Sequence, residues 1–125
     1  PSSQSYEVAS QVKENYGYVG SSLDKEKEKS GDQKVGGRYS SKYTWGCHIG
    51  EERFLAGEVL FRPSLLRGSK SRMHPLPYLV DAAIQSCPID NCRELYNNVV
   101  LSGGTTMFPD FGRRLQRDLK RIVNT

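Results

Sequence analysis

The stretch LSGGTTMFPD, residues 101–110, places two adjacent glycines and two threonines between an apolar run and a basic segment. Glycines at such a turn let a ligand lie against the backbone, and amides left free ahead of a helix can face an anion. Upstream, residues 97–101 end in Val-Val-Leu, β-branched and apolar, which reads as a short buried strand. Downstream, Phe111, Leu115, Leu119 and Ile122 recur at spacings of four, four and three, one face of a helix. Pro109 and Asp110 suit its first turn, where proline needs no donor and a carboxylate favours the positive end of the dipole. The unit is therefore strand, glycine turn, helix. On spacing alone, a packed turn with no ligand is the simpler reading, because a lone Gly-Gly is weak evidence.

The other residues with chemistry to offer are Cys47, Cys87, Cys92, His48 and His74. The Cys-x4-Cys pair lacks a matching second pair, so no metal site is expected, and buried or incidental thiols are the better reading. No residue is assigned a catalytic role.

Around these residues the chain must supply elements. Residues 5–16 read as a helix, with Val8, Val12 and Tyr16 spaced by four and Gly17 as its stop. DKEKEKSGDQKVGG, residues 24–37, has little that can enter a core and reads as a mobile loop or unfolded connection. Residues 39–49, YSSKYTWGCHI, supply one or two strands. Phe54, Leu55, Val59, Leu60 and Phe61 form an apolar cluster stopped by Pro63. RGSKSR, residues 67–72, is a polar connector. Residues 77–86 read as a helix with Leu79, Val80, Ala83 and Ile84 on its apolar side, ended by Cys87-Pro88. Residues 90–96 form a short helix capped by Asp90. There is no internal repeat, and the order points to an α/β or α+β arrangement.

At 125 residues, 36% apolar and 26% charged, the chain is one globular domain or a piece of a larger one. It opens at Pro1 with no methionine, which reads as an internal fragment or trimmed chain. No apolar run approaches the roughly 18 residues that span a bilayer, and PSSQSYEVAS has neither the basic start nor the apolar stretch of a signal peptide. The three cysteines fit a reducing compartment. The net charge of +4 owes much to Arg113, Arg114, Arg117, Lys120 and Arg121 on the last helix. Such a helix is either a solvated face or an interaction surface. Nucleic acid is disfavoured as its partner, because no exposed aromatics interleave with the charges.

LSGGTTM gains meaning from its neighbours. IGEERF at residues 49–54, EVLFRPSLL at 58–66, DNCRELYNNVVLSGGTTMFPD at 90–110 and VKENYGYV at 12–19 resemble segments of the actin superfamily, in the same order. The resemblance covers most of the chain apart from residues 21–42. CPID, TMF and DFGRRLQRDLKR resemble the actin-related branch more than conventional actin, whereas GGTTM and AGEVLFRPSLL lean towards actin.

The resemblance implies an α/β chain, a partial actin-like ATPase fold with strands and flanking helices. Residues 1–66 resemble part of subdomain 4, with a mobile loop over 21–42. Residues 67–125 resemble the second half of subdomain 3, including the nucleotide-binding glycine turn. It also implies ATP with a divalent cation (Mg) in the cleft of the intact parent. Lys13 would lie by the adenine, Glu14 would accept from a ribose hydroxyl, Gly103 and Gly104 would bring backbone against the nucleotide, and Met107 and Phe108 would flank the base. No DNGSG-like or DGVTH-like phosphate loop is present, so this chain is expected not to be an enzyme, although its parent would be a slow ATPase.

By the same resemblance the parent is a subunit of the actin-related protein 2/3 complex, which nucleates branched actin filaments in the cytoplasmic cytoskeleton. Its implied partners are actin-related protein 2, the other subunits and actin. A self-polymerising actin-like ATPase is the alternative. A chain of this kind is also expected to self-associate through uncovered apolar surface or a bare sheet edge.

Overall fold

Helix α1 (Ser3–Tyr16) ends at Gly17, and the chain then runs through α2 (Leu23–Lys29), a hairpin of β1 (Gln33–Arg38) and β2 (Thr44–Ile49), and α3 (Glu52–Glu58). A short 3-10 turn (Pro63–Leu65) precedes α4 (Leu76–Gln85) and α5 (Ile89–Asn97). A second (Gly104–Met107) leads into α6 (Phe111–Val123). The structure, a computed structural model, describes residues 3–29, 31–38, 43–66 and 73–124. The RGSKSR connector and part of the aromatic run that opens at Tyr39 lie outside the described residues.

The core forms where α6 meets the segments before α2 and after α3. Phe111 and Leu115 of the expected stripe are buried with Val19, Phe61 and Phe108, and Leu60, Leu76 and Val80 pack around them. The Phe61 and Phe111 rings lie 5.5 Å apart and tilted by 58°, a favourable aromatic geometry. Leu119 continues the buried stripe and Ile122 is half-buried. Helix α4 packs across α6, and α5 folds back against α4. There the Tyr96 hydroxyl donates to Asp81 Oδ1 at 2.5 Å and accepts from Gln85 Nε2 at 2.8 Å. Of the apolar side expected for α4, Ile84 is buried and Val80 half-buried, while Leu79 and Ala83 stay exposed.

The hairpin pairs antiparallel with Val35 opposite Cys47. Gln11 ties it to α1 through both ends of its amide, accepting from Trp45 Nε1 at 2.7 Å and donating to the Arg38 carbonyl at 2.7 Å. Arg53 holds the hairpin's entry, donating to Gln33 Oε1 at 2.9 Å and to the Gly31 carbonyl at 3.0 Å.

Several expectations differ from what is observed. The polar run 24–37, read as a mobile loop, instead forms most of α2 and the first part of β1, with residue 30 outside the described set. One buried anchor per element suffices, Leu23 for the helix and Val35 for the strand. The helix gains further from acids in its first turn (Asp24, Glu26) and bases in its last (Lys27, Lys29), which complement its dipole. Residues 97–101, read as a short buried strand, instead finish α5 at Asn97 and then run on with no ladder partner among the described residues, and Val100 is 86% exposed. Apolar β-branched residues fit a pleated surface but do not make one, and the single sheet among the described residues is the hairpin. An open groove of about 450 Å³, lined by Val99, Leu101, Leu115, Leu119 and Val123, separates this segment from α6.

The caps also differ. Pro88 is the N-cap of α5, which puts Asp90 inside its first turn. Asp110 is the N-cap of α6 in a left-handed conformation (φ 66°) without a side-chain cap bond, and its carboxylate lies 3.8 Å from Arg113.

Two outcomes follow from this packing. Phe111→Ala removes the ring at the centre of the core and is expected to cost about 3–5 kcal/mol in urea unfolding. Burial, then the hydrogen bond to Glu26, raise the Tyr18 phenol above its ordinary value, and the bond to Asp81, then burial, raise that of Tyr96. The stability they add is complete below the unfolded tyrosine value of about 10 and fades as pH rises through the folded values. In a spectrophotometric titration, Tyr18→Phe with Tyr96→Phe is expected to remove a phase that ionises above the ordinary tyrosine value.

Candidate functional site

The last two turns of α1 place Ser10, Lys13 and Glu14 on one face, since residues three and four apart stack on a helix. Gly17 is where the helix can stop against the rest of the molecule. A Cβ there would stand 2.4 Å from Phe108 Cε1 and 2.5 Å from the Lys13 carbonyl, so a larger residue forces the ring aside. The Gly17 amide closes the helix by donating to that carbonyl at 3.1 Å.

The facing wall is the turn after residue 102. Gly103 has φ 101° and ψ 157°, a conformation essentially reserved for glycine. The Thr106 amide and hydroxyl both donate to the Gly103 carbonyl, at 3.2 and 2.6 Å, which locks the 3-10 turn that follows. Tight 3-10 winding sends neighbouring side chains in different directions. Phe108 points into the core and is 8% exposed, while Met107 points out and is 81% exposed. The Val19 amide donates to the Pro109 carbonyl at 3.0 Å and stitches the two walls together.

Between the walls lies a cleft of about 520 Å³. Of the residues singled out from sequence, it gathers Lys13, Glu14, Gly104, Met107 and Phe108. Gly103 stands just outside the lining and contributes through its backbone angle. Lys13 lies with its ammonium 5.7 Å from the centroid of the Phe108 ring, a cation–π placement. Because Phe108 is largely covered, it supports the cleft from below, and Met107 is the free apolar flank. Ser10, Thr105 and Pro109 also line the cleft and were not singled out from sequence. Ser10 had a readable signal, since it sits three and four residues ahead of Lys13 and Glu14.

The cleft offers an exposed carboxylate, an ammonium, an apolar flank and a glycine without side-chain bulk. A Cβ built on Gly104 meets nothing within 4 Å, so its backbone is open to a bound molecule. These groups suit a nucleoside, whose hydroxyls donate and whose base is flat and apolar on its faces. Among the described residues, no group of three or more His, Cys, Asp and Glu is placed to hold a metal ion. Cys47, Cys87 and Cys92 are unpaired by disulfides.

The basic helix is less uniformly solvated than its sequence implied. Arg113, Lys120 and Arg121 are exposed, but Arg114 turns inward and is 7% exposed. Its guanidinium meets the Glu58 carboxylate through two bonds, NH1 to Oε2 at 2.7 Å and NH2 to Oε1 at 2.9 Å. Nε donates to Asp118 at 2.8 Å, and the guanidinium carbon sits 4.8 Å from the Phe61 centroid. Burial alone would lower the Arg114 pKa, but the bonds to Glu58 and Asp118 outweigh it and the net shift is upward. Nothing in the spacing separates Arg114 from its basic neighbours except its place directly before Leu115 of the buried stripe.

The family model described as actin matches residues 2–125. The chain is similar to proteins named actin-related protein 3: 45% identical over 131 residues to that of Dictyostelium discoideum and 44% over 133 residues to that of Oryza sativa subsp. indica. It is 63% identical over 76 residues to that of Saccharomyces cerevisiae, a match covering 61% of this chain and 16% of the yeast protein. The first two matches cover 99% of this chain and 31% and 30% of those relatives, so the chain spans about a third of their length. This chain belongs to the actin family.

Proposed function

We propose that this chain carries the adenosine side of an ATP site, and that the protein it represents works as an actin-related subunit of a complex that nucleates branched actin filaments. The observation that carries the first part is the cleft, which brings Lys13 and Glu14 of α1 opposite Gly104, Met107 and Phe108 of the turn. The similarity to proteins named actin-related protein 3 supports the second part. Lys13 lies beside the adenine, Glu14 accepts from a ribose hydroxyl, the Gly103-Gly104 backbone meets the nucleotide, and Met107 closes the base edge over Phe108.

A divalent cation, Mg in the parent, supplies charge neutralisation at the phosphates when it is bound. This chain's residues bind and orient the nucleoside and shield the base from water. The sequence holds no phosphate loop, so the chain binds nucleotide without turning it over, and hydrolysis belongs to the parent. The partners are a second actin-related chain (actin-related protein 2), the further subunits of such a complex and actin, in a cytoplasmic, cytoskeletal setting.

Titration with ATP is expected to show saturable binding that Glu14→Ala weakens by about tenfold, the loss of one charge-assisted hydrogen bond. Glu14→Gln, which keeps an acceptor, is expected to fall between. Pull-down of the full-length parent is expected to recover a second actin-like chain with a fixed set of small companions. Recovery of the parent alone, or only with copies of itself, moves the reading to a self-polymerising actin-like ATPase.

A further inference from the structure

The two walls of the cleft are far apart in sequence, and both reach the core, through Val19 on one side and Phe108 on the other. On the cleft side, contacts that cross between the walls include the Val19–Pro109 backbone bond at 3.0 Å and the Lys13–Phe108 contact at 5.7 Å. Behind the cleft, Arg114 makes a third. Its NH1 donates to the Gly20 carbonyl at 3.0 Å as well as to Glu58 at 2.7 Å. One turn on, Arg117 donates to the Ser21 carbonyl. The segment that leaves α1 is thus gripped from α6, and the grip is aimed by a carboxylate on α3.

We propose that Arg114, aimed by Glu58, is a positioning residue for the nucleotide cleft: it sets the separation of the α1 wall from the residue 104–109 wall by holding the Gly20 carbonyl. The proposal rests on the nucleotide reading above. Three features carry it. The Arg114 amide makes its helical bond to Asp110 at 3.0 Å, so Arg114 stands one turn beyond the N-cap that joins α6 to the cleft wall at Pro109. A fork of five fixed donors can hold a carboxylate through two bonds and still reach a third acceptor, which a lysine ammonium cannot do with the same geometry. Finally, a buried ion pair is a poor source of stability compared with apolar residues of the same volume. What it adds here is direction, because only a charged fork fixes the Gly20 carbonyl, and through it the exit of α1, to the start of α6.

The test uses the 125-residue chain in three forms. These are the unaltered protein, Arg114→Lys, and the double variant Glu58→Leu with Arg114→Met. The lysine keeps the charge opposite Glu58, and the double variant replaces the pair with apolar volume. Each form is assayed for urea stability, for ATP affinity, and for amide exchange at Val19 without nucleotide, with the Ser86 amide, which bonds to the Ala82 carbonyl at the end of α4, as the remote reference.

The double variant is expected to regain the stability that Arg114→Lys loses. In both variants Val19 exchange is expected to rise about tenfold relative to Ser86. The ATP dissociation constant is expected to rise about tenfold as well, the low end of what outer positioning partners contribute elsewhere. Unaltered Val19 exchange and affinity in a stable double variant would reduce the pair to a brace and overturn the proposal. So would exchange that rises equally at Val19 and Ser86 in Arg114→Lys, the variant that decides the matter if the double one does not fold. If the unaltered chain binds no ATP, the nucleotide reading fails on that result, and the Val19 exchange alone decides whether Arg114 sets the wall.

Discussion

A charge taken out of water must be matched at once, and in this chain that requirement falls on Glu58, whose side chain is 1% exposed. Its carboxylate needs a cation with directed donors; Arg62 approaches to 3.6 Å from the exposed side, and Arg114 on the inner face of α6 supplies the two close bonds. Meeting that need rotates α6 until Arg114 faces α3. The rotation also turns Phe111, Leu115 and Leu119 into the core. Apolar and polar requirements therefore choose the same helix orientation. Once it is set, the turn at the start of α6 and the segment leaving α1 have little room to lie elsewhere.

The cleft inherits its shape from this arrangement. Phe108 belongs to the core, and Met107, its neighbour in the chain, belongs to the cleft. The glycine turn is therefore rooted in packed hydrocarbon at one residue and free at the next. A binding loop of this kind combines an open face with a fixed base. The rigidity comes from the ring under Gly17 and from the two bonds that Thr106 makes to Gly103.

Much of this was legible in the sequence, but unevenly. The 3.6-residue period of the last helix gave its buried stripe because burial there is one-sided. Lys13, Glu14 and the glycine turn drew together only through resemblance, since nothing local says that residue 14 faces residue 104. Ser10 is legible from helical spacing alone, three and four residues ahead of Lys13 and Glu14. Composition misled at residues 24–37, where the buried Leu23 just ahead of the run and the buried Val35 within it organise an otherwise charged stretch. It misled again at residues 97–101, where β-forming side chains meet no second strand. The inward turn of Arg114 was hidden because its partner lies 56 residues away, a separation no local pattern spans.

The bare run at residues 99–101 has a consequence for how this chain behaves in a tube. Apolar chain that enters neither helix nor ladder among the described residues leaves backbone groups that another chain can pair with. Closing the core around Phe111 is a unimolecular event whose rate ignores dilution, whereas pairing through that run is bimolecular and accelerates with concentration. The two therefore compete during refolding. Slow, dilute renaturation favours the single chain, and concentrated renaturation favours aggregates seeded at Val99, Val100 and Leu101.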